Sequence, residues 1–222
     1  MEDGPVSAPY VVLCEGSADR AFINRLLQSR GITDIAVRCT HTGTDPRCAG
    51  RSGLKDSLLA LDAVRATIKD AARGIAIVFD GDDDTNLRFN EIIEDLKQSK
   101  LGYPRPSKPL EIAKGDPSVG IALLPCHLDE LIFNSLGASH KDLLQPIEDF
   151  QKATVHRTEK WKNRSLSRMR LRCLIAASHE PDPGASLTFL LESSKGPVDF
   201  QHSCFDWLMD FLTEFRNTAE RQ

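Results

Sequence analysis

Gly74-Ile75-Ala76-Ile77-Val78-Phe79 is an unbroken apolar run that ends in Asp80-Gly81-Asp82-Asp83-Asp84. A strand exposed on one face alternates apolar with polar residues, and this one does not, so it predicts a strand covered on both faces inside a parallel sheet. Upstream, Tyr10-Val11-Val12-Leu13-Cys14 is a second short β-rich run, and it stops at Glu15-Gly16. Ser17 then stands where a helix N-cap is expected, Phe22, Ile23, Leu26 and Leu27 form one apolar stripe, and Gly31 closes the helix. Ile35 to Cys39 reads as another strand, and residues 40 to 53 as a polar, glycine-rich loop before a helix burying Leu54, Leu58, Leu61, Val64 and Ile68.

Downstream of the acidic run the pattern predicts a helix over 85–99, a connection carrying Pro104, Pro106 and Pro109, and a strand from Val119 to Leu124. Strands and helices alternate over this half of the chain, so the expected fold class is α/β. The sheet should be open and mostly parallel, with right-handed crossovers and helices on both faces. After Pro125 only helices are expected, at 128–137, 141–153, 165–178 and 203–217. The domain reading is an α/β core over 8–135 and a helical C-terminal extension, 136–222, packed on it.

The chain has 222 residues, with 28 Lys+Arg against 32 Asp+Glu and a net charge of −4, which argues against a protein that coats polyanions wholesale. Hydrophobic residues at 41% and charged residues at 27% describe a chain able to build a core rather than a disordered one. No stretch approaches the roughly 18 to 20 apolar residues of a spanning helix, and Met1-Glu2-Asp3-Gly4-Pro5 lacks the marks of a signal peptide. The expectation is a cytoplasmic protein without membrane attachment. Its cysteines, Cys14, Cys39, Cys48, Cys126, Cys173 and Cys204, contain no Cys-x-x-Cys pair and read as reduced thiols.

In an open α/β sheet ligands collect beyond the carboxyl ends of the strands, and here one strand ends in Glu15 and the central one in Asp80-x-Asp82. Carboxylates gathered at such a rim repel one another unless a cation sits among them, and hard oxygen donors favour Mg²⁺ or Mn²⁺ over Zn²⁺. Asp83 and Asp84 read instead as a solvated helix start. A hydrophobic strand ending in Glu15-Gly16, then Asp19 and an aromatic-bearing helix, then an apolar strand ending in Asp80-x-Asp82, resembles the Toprim domain of topoisomerases, bacterial primases and a class of nucleases. The resemblance covers residues 8–135 and is to the stand-alone branch related to the overcoming-lysogenization-defect (OLD) nucleases. It implies a Toprim-like, Rossmann-like sheet.

Residue by residue, the resemblance implies Glu15 as general acid/base or metal ligand, Asp80 and Asp82 as metal ligands and Asp19 as a further acid. In Pro125-Cys126-His127-Leu128-Asp129-Glu130-Leu131, Asp129 or Glu130 would be another metal ligand, Asp standing where that branch has Glu. Arg168 takes the place of a lysine in the relatives; it can hold a phosphate but cannot lose its proton. His127 reads as a loop residue. The implied function is metal-dependent cleavage of DNA or RNA, with anti-phage defence as a setting. These 222 residues carry no P-loop, so an ATPase or other protein would be a separate partner.

Between residues 152 and 172 eight Lys or Arg face the single acid Glu159. Arg157, Lys160, Trp161, Lys162 and Arg164 would line a nucleic-acid path with an aromatic for stacking, or else form a solvated face. Two other functions compete with cleavage: a non-cutting binding module, and a haloacid-dehalogenase-like phosphatase. The phosphatase motif wants Thr or Val two positions after its second Asp, and counting from Asp80 that place is Asp84, with Thr85 one residue late.

Overall fold

The computed structural model describes residues 8–42, 48–81, 84–99, 101–179, 182–193 and 196–221. Strands β1 (Tyr10–Cys14), β2 (Ile35–Cys39), β3 (Gly74–Asp80), β4 (Ile112–Ala113) and β5 (Ser118–Leu124) form a sheet in the order β2-β1-β3-β5-β4. The first three and β5 are parallel, and β4 pairs antiparallel with β5 at the edge. The alternation in the sequence thus gives the expected mostly parallel α/β sheet.

Every residue of β1, β3 and β5 is buried, because both faces of the sheet are covered. The period-two geometry of a strand divides those residues between two cores. Val11, Leu13, Ile75, Ile77, Phe79, Ile121 and Leu123 pack with Leu54, Leu58 and Leu61 of α2 (Leu54–Arg65) and with Phe89, Ile92 and Leu96 of α3 (Thr85–Gln98). On the opposite face Tyr10, Val12, Cys14, Ala76, Val78, Ala122 and Leu124 meet α1 (Ser17–Ser29), α4 (Leu128–Ser139) and α9 (Asp206–Glu220). That second core extends through α5 (Lys141–Ala153), α7 (Asn163–Ser178) and α8 (Leu187–Glu192). One short helix, α6 (Val155–Thr158), lies between α5 and α7. Among the described residues no helix is long and apolar enough to cross a membrane.

The α9 face works because the sheet beneath it is built from small residues. Gly74 and Gly120 lie under Phe215 and Phe211, and a Cβ at either position would come within 2.8 or 2.9 Å of a ring carbon. Phe211 and Phe215 stack with centroids 6.4 Å apart, and Tyr10 meets Phe215 edge-on at 6.3 Å.

Several boundaries differ from the sequence reading. Gly16, not Ser17, is the N-cap of α1, and Gly31 takes the positive φ of 73° expected just past the helix. Helix α2 stops at Arg65, leaving Val64 and Ile68 only half-buried. A single turn of 3-10 helix, Gly50–Gly53, sits at the end of the polar loop, and another, Ser203–Phe205, leads into α9. β4 is a strand that the proline-rich connection concealed.

Gly74→Ala tests the packing of α9: the added methyl meets Phe215 Cζ at 2.8 Å and Ala219 Cβ at 3.0 Å. The expected loss is about 1–3 kcal/mol, seen as a lower urea midpoint at unchanged m-value. With Phe215→Leu in the same chain the loss should be smaller than the sum of the two single changes, since the shorter side chain makes room for the methyl.

Candidate functional site

The chain leaves β1 for β2 on one side and returns to β3 on the other, so the strand order reverses between β1 and β3. A crevice opens beyond the carboxyl ends of the strands at such a switch. Cys14 is level with Val78 across the β1–β3 ladder, which puts Glu15, the next residue of the chain, one step short of Asp80 on the neighbouring strand. Asp80 is in turn level with Leu124 at the end of β5. Gly81 follows because its N–H donates to Leu124 O at 3.0 Å, and a Cβ there would fall 2.5 Å from that carbonyl oxygen.

Three carboxylates lie near this rim, close enough for the charges of Asp80 and Glu15 to act on Asp19. The Asp19 carboxylate accepts a hydrogen bond from Gly16 N–H at 2.8 Å, tying the first turn of α1 to the residue after Glu15. Burial pushes the Asp19 carboxyl up to about 7; the negative charges of Asp80 and Glu15 add to the rise, and the Gly16 N–H opposes it. Asp80 is buried at 6% exposure and its pKa is likewise raised, first by loss of hydration, against the pull of His127, Arg164 and the Leu128 N–H.

Cations surround these acids. Arg88 of α3 lies 3.7 Å from Glu15 and 3.5 Å from Glu91, and Arg51 lies 3.2 Å from Glu91 and 3.4 Å from Asp95. A chain of alternating charge therefore runs from the turn before α2, across α3, to Glu15. On the other side Asp80 Oδ2 is 3.5 Å from His127 Nδ1 and 3.9 Å from Arg164, while its Oδ1 accepts from Leu128 N–H at 3.3 Å. Asp84 is the N-cap of α3, its side chain accepting from Leu87 N–H at 2.9 Å, the role expected of it.

Of the residues singled out in the sequence, the structure gathers Glu15, Asp19 and Asp80, with Arg164 reaching in from α7. Asp82 lies outside the described residues. Asp129 and Glu130 sit in the first turn of α4, each held by α7: Arg168 is 3.6 Å from Asp129, and Glu130 accepts from Ser167 Oγ at 2.6 Å and from Arg170 at 3.2 Å. Lys162 and Trp161 border a cleft of about 530 Å³, and Lys162 and Arg164 border a second of about 450 Å³. Arg157 and Lys160 are exposed and line neither.

Arg88 and Arg51 went unrecognised in the sequence, and His127 reads there as a loop residue, not as a neighbour of Asp80. His127 does stand outside the helices and strands, at the N-cap position of α4, and it is buried. The available signal was topological: β5 lies beside β3, so the residues just past Leu124 share the rim with Asp80. Arg88 carries no comparable mark beyond its place one turn into the helix that follows the acidic run.

A family model described as "Protein of unknown function (DUF3226)" matches residues 9–217. No curated protein matches in sequence. Among solved structures, hypothetical protein PH0156 from Pyrococcus horikoshii OT3 is similar over 96% of this chain and 98% of its own, at 15% identity and a TM-score of 0.57, so the two share a fold. The C-terminal region of the Xanthomonas campestris pv. campestris OLD protein aligns over 96% and 97% of the two chains, at 13% identity and a TM-score of 0.43.

Among the described residues no three His, Cys, Asp or Glu side chains are gathered as a complete metal-binding group. A carboxyl titrating near 7 in the folded chain, against roughly 3.9 unfolded, binds more protons folded than unfolded between those values. Stability must then fall as pH rises from about 4 to 7 and stay reduced above that. Asp19→Asn keeps an acceptor for Gly16 N–H but removes the charge. Urea unfolding in EDTA should show the variant gaining on the native protein between pH 4 and pH 8, with no gain below pH 4; a native protein more stable than the variant at pH 8 would contradict the burial of this charge.

Proposed function

The chain belongs to the DUF3226 family of proteins of unknown function, and we propose that it is a cytoplasmic, divalent-metal-dependent phosphodiesterase with a Toprim-like site, acting on DNA or RNA. The observation that supports this most is the meeting of Glu15, Asp19 and Asp80 at the switch between β1 and β3. The motif order that resembles Toprim domains and the crowding of poorly hydrated carboxylates lead to the same reading. An excess of negative charge in one crevice is what a cation would relieve.

The donor set fits Mg²⁺ or Mn²⁺. These ions take one or two carboxylates and complete their shells with water and substrate phosphate, so an incomplete protein cage does not count against them. Glu15 and Asp80 would hold the ion, with Asp82 and one of Asp129 and Glu130 as further candidates. A bound divalent ion lowers the pKa of a water and neutralises charge on the leaving oxygen. The chain's own groups supply the rest. Arg164 and Arg168 present fixed positive charge beside Asp80 and Asp129 and would hold a phosphate without giving up a proton. Arg88 positions Glu15. Asp19, titrating near neutral pH, can exchange a proton at the rim. Anti-phage defence and a separate ATPase partner belong to this proposal as what the resemblance implies.

A non-cutting binding module is favoured by one observation: Glu15, Asp80 and Asp129 each already have an arginine within 4 Å. The cleavage assay separates the two. Purified protein is incubated with single-stranded, duplex and supercoiled DNA and with RNA, in Mg²⁺, Mn²⁺ or EDTA. Cleavage is expected only with metal, and Asp80→Asn should abolish it and lower metal affinity measured by calorimetry. That substitution keeps an acceptor for Leu128 N–H, and it removes a buried charge, so the Tm in EDTA at pH 8 should be level with or above the native value. Unaltered cleavage by Asp80→Asn would end the catalytic assignment.

A further inference from the structure

We propose that the cleft beside Trp161 receives one unpaired nucleobase of a single-stranded DNA or RNA, next to the phosphate addressed by the acidic rim. The proposal rests on the phosphodiesterase reading above and names its substrate class. The cleft, about 530 Å³, is bordered by Trp161 together with Asn163, Ser167 and Glu130, the last two hydrogen-bonded to each other. That is the lining a base requires: an aromatic face for its π-system and hydrogen-bonding groups for its edge.

Its position relative to the acids is fixed by two residues. His127 and Lys162 border this cleft and also the second one, where Arg88 and Arg164 supply positive charge. His127 is 3.5 Å and Arg164 3.9 Å from Asp80, so the two clefts adjoin on either side of the residues that touch the rim. A nucleotide has the same division, an anionic backbone on one side and a flat base on the other. Its phosphate would lie over Arg164 and Lys162, and its base would turn into the Trp161 cleft.

Trp161 is 46% exposed, an indole ring left in water at the mouth of a polar cleft. Trp161 also borders a third cleft, of about 420 Å³, together with Lys152 and Arg170 and with the acids Glu148 and Glu159. In a duplex the base faces are covered by neighbouring pairs and are out of reach of such a ring. Only an unpaired base, in a single strand, an end or a bulge, can use it. The same chemistry serves DNA and RNA, and the test includes both.

Binding is measured with Ca²⁺ in place of Mg²⁺, using homopolymeric thymidine and uridine strands, a duplex, and an abasic strand of equal length. Trp207→Phe serves as background, so that Trp161 is the one tryptophan reporting. Single strands of both kinds should quench its fluorescence, and the abasic strand should not. Trp161→Ala should weaken single-strand binding by about 5- to 150-fold while duplex binding changes little, and Trp161→Phe should recover most of the loss. Single-strand binding by Trp161→Ala equal to that of the native protein, or quenching by the abasic strand, would overturn the proposal and leave the rim reading standing. Native protein that binds no nucleic acid at all would overturn both.

Discussion

Ionised carboxylates that have lost their water are costly, and packing several at one rim multiplies the cost by mutual repulsion. The sheet topology imposes that situation here. Once β1 and β3 are neighbours on either side of the order reversal, Glu15 and Asp80 must project beyond adjacent strand ends, and α1 brings Asp19 to the same place. The surrounding groups answer the charge. Gly16 and Leu128 each donate a backbone N–H to one of these acids, and Arg88, Arg164 and His127 stand within 4 Å of Glu15 or Asp80.

The C-terminal helices take part in the rim as well as in the core. Along α7, Arg164 and Arg168 are four residues apart and so share one face, and they reach Asp80 and Asp129. Ser167 and Arg170, three apart, both bond Glu130, and the Arg170 guanidinium also lies 4.3 Å from the Phe133 ring. Leu171 and Ile175, seven residues beyond Arg164 and Arg168, continue that side of the helix into the core, where Leu174 is also buried. The helix thus anchors in the core through its C-terminal half and delivers guanidiniums from its first turns to the acids. Its register is set by packing, so the charges are held where the core puts them.

The sheet was legible in the sequence because its strands are short apolar runs closed by Glu15-Gly16 and by Asp80-Gly81, and parallel strands buried on both faces read that way. Helix boundaries were less so. Ser17 is a better cap by propensity than Gly16, but Asp19 already accepts the Gly16 N–H, and the helix starts one residue earlier than a Ser17 cap would place it. Two-residue β4 has no periodicity to detect. The acids of the rim could be chosen from strand ends alone, whereas Arg88 and His127 could not. Their roles depend on which strands are neighbours, and strand order is not written in local pattern. Arg157 and Lys160 show what a basic run leaves open: it identifies charge, but the turn between α6 and α7 brings only part of it to the clefts.

The arginines also constrain which groups can move a proton in the proposed chemistry. The Toprim resemblance implies a lysine in the place of Arg168, and a lysine near a phosphate can act as an acid after its pKa is shifted. A guanidinium keeps its proton, so Arg168 is restricted to holding charge in place, and the same applies to Arg164 and Arg88. Among the acids with resolved shifts at the rim, Asp19 is raised to about 7, where both protonation states are populated at neutral pH. Burial and the charges of Asp80 and Glu15 put it there, and a cation bound between those two would lower it again. In the proposed chemistry, proton transfer by Asp19 and charge neutralisation at Glu15 and Asp80 would therefore be coupled: the more fully the crevice charge is balanced, the weaker a base Asp19 becomes. Substitutions at Glu15 or Asp80 would alter the protonation of Asp19 as well as metal binding, because both of their charges raise its pKa.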